Sequence, residues 1–193
     1  MNWLAHVYLS EPRVEFQLGN LLADVVKRPA RTEYGDDFVS GVERHRAIDA
    51  YTDAHPVVRR SRSRISPAYR RFSGVLVDVF YDHLLASTWN TYADTSLESF
   101  AAEFYAASRD CPLALPTPAQ RMIENIRRYD LLSSYAAIEG VEAALQRLSQ
   151  RLFTRWQRDF ALEKSVAELR TNATEWQTDF AEFFPQLRAR VMQ

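Results

Sequence analysis

Five glycines in 193 residues, with little of the punctuation that β-hairpins use, restrict this chain to a helical fold. The apolar spacing agrees. Residues 3–9 read as a short helix carrying His6, stopped near Pro12. Residues 14–27 form a second helical pattern, with Phe16, Leu18, Leu21, Leu22, Val25 and Val26 apolar and Gly19-Asn20 interrupting it. Glycine inside a helix costs about 1 kcal/mol relative to alanine, so one kept there points to close packing or close backbone approach. Pro29 and Gly35 bracket a loop, after which Asp36 or Asp37 caps a helix from 38 to about 54. Pro56 starts an arginine-rich helix, and Ser66-Pro67 has the cap-then-proline order of the next. That next helix runs through Phe72, Val75, Leu76, Val79, Phe80, Leu84 and Leu85; apolar almost all round, it is expected to be central.

Beyond residue 90 the pattern is supportive. Thr95-Ser96-Leu97-Glu98, Thr117-Pro118-Ala119-Gln120 and Ser165-Val166-Ala167-Glu168 each fit the capping box, the last opening a terminal helix towards Arg188. Pro112, Pro116 and Pro118 mark a loop. All four histidines, His6, His45, His55 and His83, precede this half. The expected fold is all-α, a single-domain antiparallel helical bundle over residues 1–193. Residues 1–90 carry the chemistry and 91–193 supply supporting helices.

A chain that is 47% hydrophobic and 12% aromatic at this length can bury one sizeable core. Its net charge of -1, from 24 basic and 25 acidic residues, points to neither nucleic acid nor an acidic membrane as partner. Cys111 is the one cysteine, which suits a reducing compartment. The first six residues lack a charged leader, and no stretch reaches the roughly 18 apolar residues of a membrane span. The expected location is the cytoplasm.

Chemistry concentrates in one helix. His45, Asp49 and Asp53 stand at successive i, i+4 positions and share a face bordered by Ile48, Tyr51 and Thr52. Imidazole and short carboxylates without lysine are what a divalent metal takes. Elsewhere, Asp24 is the lone charge within Leu21-Leu22-Ala23-Asp24-Val25-Val26, where burial is costly unless the carboxylate is paired or bound to metal. Asp78 and Asp82 share a face of the central helix, with His83 beside Asp82. Convergence of such groups between helices is the usual route to a metal site in a bundle. With no thiolate set, the donor types favour manganese, magnesium or iron(II) over structural zinc. A metal here would polarise phosphoryl oxygens and generate hydroxide near neutral pH. A glycine-rich phosphate loop, a Gly-x-Ser-x-Gly elbow and a Cys-x-x-Cys pair are all missing from the sequence.

An arginine run adjoins the stripe. Residues 44–71 hold eight arginines against Asp49 and Asp53, with no lysine. Arginine favours bidentate recognition of anions. Arg59, Arg60, Arg62 and Arg64 therefore read as a docking surface for an acidic partner, and Arg44 and Arg46 as phosphate-binding groups.

Four ordered motifs carry a family likeness. Asn2-Trp3-Leu4-Ala5-His6, Gly19-Asn20-Leu21-Leu22-Ala23-Asp24, His45-Arg46-x-Ile48-Asp49-x-x-Thr52-Asp53 and Asp82-His83-Leu84-Leu85 together resemble the acyl carrier protein phosphodiesterases. The resemblance implies an atypical, all-helical relative of the HD phosphohydrolases. It further implies manganese-dependent removal of phosphopantetheine from the serine of holo acyl carrier protein. Carried onto this chain, it implies Asp24 as the essential residue, with His6, His45, Asp49, Asp82 and His83 as metal or phosphate neighbours. Asn20 is a candidate donor to the phosphoryl group. One departure stands out: the chain has no His-Asp dipeptide, only the reversed Asp82-His83. Two other readings stay open. An HD-like phosphohydrolase acting on a small nucleotide or phosphate ester predicts a closed pocket, and a non-enzymatic helical adaptor predicts no metal binding.

Overall fold

The computed structural model describes residues 1–27 and 33–192 and contains eleven α-helices and no strand among them. In chain order these are α1 (Trp3–Tyr8), α2 (Val14–Leu22), α3 (Asp36–Ala54), α4 (Pro56–Arg64), α5 (Ser73–Ser87), α6 (Leu97–Asp110), α7 (Thr117–Arg128), α8 (Leu131–Ser134), α9 (Ile138–Trp156), α10 (Val166–Thr171) and α11 (Ala173–Val191). No helix among the described residues is long and apolar enough to cross a membrane.

Helix α5 is central, as its composition requires. Leu76, Val77, Phe80, Tyr81, Asp82 and Leu85 are all fully buried. The aromatic face of α11 closes over it: Trp176 meets Phe80 edge-on, and Phe180 meets Tyr81 in the same way. One buried hydrophobic cluster extends from Met1 to Val191 and draws on both halves of the chain.

Helices α2 and α3 cross with their backbones touching. A Cβ at Gly19 would lie 2.0 Å from the Phe38 carbonyl oxygen, and one at Gly41 2.0 Å from that of Phe16. Only glycine permits this approach. Gly19-Asn20 therefore does not interrupt α2, which runs through both residues. The close crossing also sets an α2 carbonyl against a side chain of α3.

Several expected boundaries move. Helix α2 ends at Leu22, so Asp24 lies past its end, not inside it. Gly35, at φ +86°, precedes α3 in place of a side-chain cap. Pro29 lies outside the described residues. Ser66-Pro67 opens only turns and a 3₁₀ segment (Arg70–Phe72), and α5 starts at Ser73. Of the three expected capping boxes, only the first region forms a side-chain cap, displaced by one residue: Ser96 Oγ accepts from the Ser99 N–H. Proline at position 118 leaves Thr117 inside the first turn of α7, behind Pro116. Ser165 Oγ donates to the Leu162 carbonyl, and the terminal helix begins at Ala173.

Candidate active site

Helix α1 is too short to be stable alone, so its position depends on a partner. Asn2 makes no side-chain cap; Asp82 of α5 supplies it from across the core, accepting the Leu4 N–H at 2.8 Å and the Ala5 N–H at 3.3 Å. This fixes the end of α1 and with it His6. Burial raises the Asp82 carboxyl to about 7, only partly offset by those two N–H groups.

Asn20 then orients two imidazoles. Its amide nitrogen donates to the His6 carbonyl and to Ser10 Oγ, both at 2.8 Å. That network assigns the amide oxygen to face His6 Nδ1, 2.8 Å away. The Asn20 backbone carbonyl accepts from His45 Nδ1, also at 2.8 Å. Both rings thus carry their proton on Nδ1, and both Nε2 atoms are turned the same way. The rings stack with centroids 4.3 Å apart.

Both Nε2 atoms meet Asp49, one turn after His45 on α3. His6 Nε2 is 3.4 Å from Oδ1, and His45 Nε2 is 3.1 Å from Oδ2. His45 Nε2 is buried and lacks a well-aligned hydrogen bond despite this proximity. Asp24, exposed at 88%, brings Oδ1 to 3.7 Å from the same atom. The donor atoms of His6, His45 and Asp49 lie within 4.8 Å of one another. Burial pushes the His6 pKa down against the pull of Asp49, so its Nε2 presents a lone pair to a carboxylate. For His45 burial acts the same way, but Asp49 and Asp24 outweigh it and raise the pKa. Burial likewise opposes ionisation of Asp49, yet His45, His6 and the Met1 ammonium beside it hold it well below the usual carboxylate range. At His6, acceptor faces acceptor, a costly arrangement that a cation relieves. Histidines locked through Nδ1 with Nε2 free are the usual preparation for metal ligation.

This cluster opens into a cleft of about 390 Å³, also lined by Trp3, Thr52, Asp53, Asp78, Met122 and Arg151. Thr52 Oγ1 is buried without a hydrogen-bond partner among the described residues. The Met1 amino group donates to Asp78 at 3.0 Å and lies 3.9 Å from Asp49.

Of the residues singled out by sequence, His6, His45 and Asp49 come together, with Asp24 beside them. Asp82 does not join them, being occupied as the acceptor for α1. His83 points elsewhere: its Nδ1 meets the Tyr135 carbonyl at 2.7 Å, in a separate cleft with Ser87 and Leu169. Asn20 has both amide hydrogens committed, so it orients the imidazoles and has none to spare for a phosphoryl oxygen. Arg44 turns away, donating to the Leu9 carbonyl and lying over the Phe16 ring. Arg46 is exposed and does not line the cleft. His55 accepts from the Val57 N–H and caps α4. The arginine run is largely internal: Arg60 and Arg64 pair with Asp179, Arg60 also with Glu182, and Arg62 with Asp53. Arg151, a cation that reaches the cleft, comes from the half expected only to support it. Its signal in the sequence is the Arg147, Arg151, Arg155 spacing, which places three like charges on one face of α9.

A family model described as acyl carrier protein phosphodiesterase matches residues 1–187. Curated proteins named acyl carrier protein phosphodiesterase are similar along the whole chain. That of Photorhabdus laumondii is 30% identical over 99% of this chain and 95% of its own. That of Serratia proteamaculans is 33% identical over 97% and 95%, and that of Shigella boydii 31% over 99% and 97%. No solved structure gives a significant match.

Proposed function

The chain belongs to the acyl carrier protein phosphodiesterase family, and on that premise we propose that it is a metal-dependent phosphoric diester hydrolase. Its substrate is holo acyl carrier protein, and its products are apo carrier protein and phosphopantetheine. We read the fold as an HD-like variant of an antiparallel helical bundle in which α1, α3 and Asp24, two residues past the end of α2, supply the donors. The observation that carries the reading is the pair of Nδ1-anchored imidazoles whose Nε2 atoms converge on Asp49.

His6, His45 and Asp49 are the residues that would hold a divalent ion, manganese by the family resemblance, with Asp24 completing the set from the solvent side. Bound there, such an ion supplies Lewis acidity towards the phosphoryl oxygens and lowers the pKa of water. Its lowered pKa favours the ionised form of Asp49, which supplies negative charge to the site. Asp24 is solvent-accessible at the open side of the cluster, placed to take a proton from the attacking water. Arg151 supplies positive charge on the cleft wall for the diester oxygens. Water oxygen bonds to phosphorus, the bond from phosphorus to the serine oxygen breaks, and that oxygen takes up a proton. Asn20 keeps both rings in register throughout.

The test is incubation of the manganese-supplemented protein with holo carrier protein, read by mass spectrometry. Loss of the prosthetic arm from the carrier is the expected result. An unchanged carrier alongside turnover of nucleotides or small phosphate esters would assign the chain to small-molecule chemistry instead.

A further inference from the structure

We infer that the carrier protein docks on the Arg147–Arg151–Arg155 face of α9 and not on the arginine run of α4. This rests on the carrier-protein reading above. The three arginines recur every fourth residue, so they stand one above another. From Gln146 to Trp156 the helix carries no acid to offset them. None of the three forms an ion pair among the described residues, and Arg151 and Arg155 are exposed. Stacked like charges destabilise a helix. The helix dipole compensates near the C-terminal turn, which accounts for Arg155; Arg147, more than two turns earlier, has only a contact at the limit of cation–π range, 6.0 Å from the Tyr129 ring centroid.

Position supplies the second argument. A cleft of about 520 Å³ runs beside this face, with Arg147, Leu148 and Arg151 on one side and Trp3, Val75 and Val79 on others. It adjoins the His6–His45–Asp49 cleft, sharing Asn2, Trp3 and Arg151 with it. An acidic helical partner seated on the stripe places a serine-linked phosphodiester next to Arg151, with an apolar-walled channel for the rest of the arm. On α4, by contrast, Arg60, Arg62 and Arg64 are neutralised by Asp179, Glu182 and Asp53. A partner there would have to displace them.

The test is the double variant Arg147→Glu/Arg155→Glu, with Arg59→Glu as the control on α4. Charges at the rim of an interface act on encounter and fade with salt. The double variant is therefore expected to raise KM for holo carrier protein about tenfold at about 50 mM salt, with the defect shrinking at about 300 mM. Its kcat and thermal midpoint should stay at the wild-type values, and Arg59→Glu should change nothing. Arg155→Glu alone serves if the double variant fails to fold. An unchanged KM in a folded variant, or an equal effect from Arg59→Glu, overturns the assignment. Titration of apo carrier protein into the wild-type protein separates this inference from the hydrolase reading. Binding lost in the variant, with no turnover by wild type, supports the surface and sinks the activity; no binding by wild type sinks the surface.

Discussion

Asp179 and Asp49 each gather nitrogen-bearing side chains around one carboxylate, and the two clusters end in opposite states. Asp179 on α11 is 1% exposed and saturated. It accepts from Arg60 Nε at 2.7 Å, Ser61 Oγ at 2.7 Å, and Arg64 Nε and Nη2 at 3.0 and 3.2 Å. Tyr81 of α5 extends the network through Ser61. Asp49 is 41% exposed and faces two Nε2 atoms whose other nitrogens are already committed. A saturated cluster ties α4 to α11 and leaves nothing for a ligand. A half-saturated one beside a cleft has valences to give. The same residue types thus build fold in one place and chemistry in another.

The largest effect that sharpens this comparison is expected at Asp179. Asp179→Ala removes the acceptor of Arg64 and Ser61 and one of the two acids paired with Arg60, and the loss of these bonds to a buried carboxylate should cost up to about 3 kcal/mol. Urea unfolding measures it, and a cost below about 0.5 kcal/mol would show the network to be ornamental. Its pH signature has a definite sign. The arginines and Ser61 overcome burial and hold the Asp179 pKa below its unfolded value of about 3.9. That stability is present above about pH 4 and is lost as pH falls through the folded pKa.

The second expectation lies at the exposed carboxylate. Asp24→Asn should lower kcat by about a hundredfold or more, the scale of a lost general base, with no change in melting temperature. Full activity in the folded variant removes Asp24 from the mechanism. Third, manganese at about a hundred times its dissociation constant should stabilise the wild-type protein by about 2.7 kcal/mol, and His45→Ala should abolish that shift. Differential scanning fluorimetry with and without the ion reads this directly. An equal shift in His45→Ala would place the ion elsewhere.

Smallest is Asp82. Replacing it with alanine strands the Leu4 and Ala5 N–H groups and should cost about 1–3 kcal/mol. Its pKa of about 7 lies above the unfolded value, opposite in direction to Asp179. The folded state therefore binds the extra proton, and this contribution to stability falls as pH rises from about 4 to about 7. Asp82→Asn should flatten that slope. A slope unchanged in the variant would assign it to another group.

The sequence by itself determined the helical class, the central place of α5 and the grouping of His45 with Asp49, because each depends on periodicity along one helix. It also pointed to Gly19 as a place of close approach, and the α2–α3 crossing needs that glycine. The roles of the isolated polar residues were decided only by tertiary structure. Asp82 reads as a ligand on a helical wheel, yet the free N–H groups of α1 consume it. Arg60 and Arg64 read as a docking surface until Asp179, more than a hundred residues away, neutralises them. Arg151 gained its place in the cleft from the packing of α9 against the first half. A charge acquires its function from what lies opposite it, and local sequence does not specify its partner across the core.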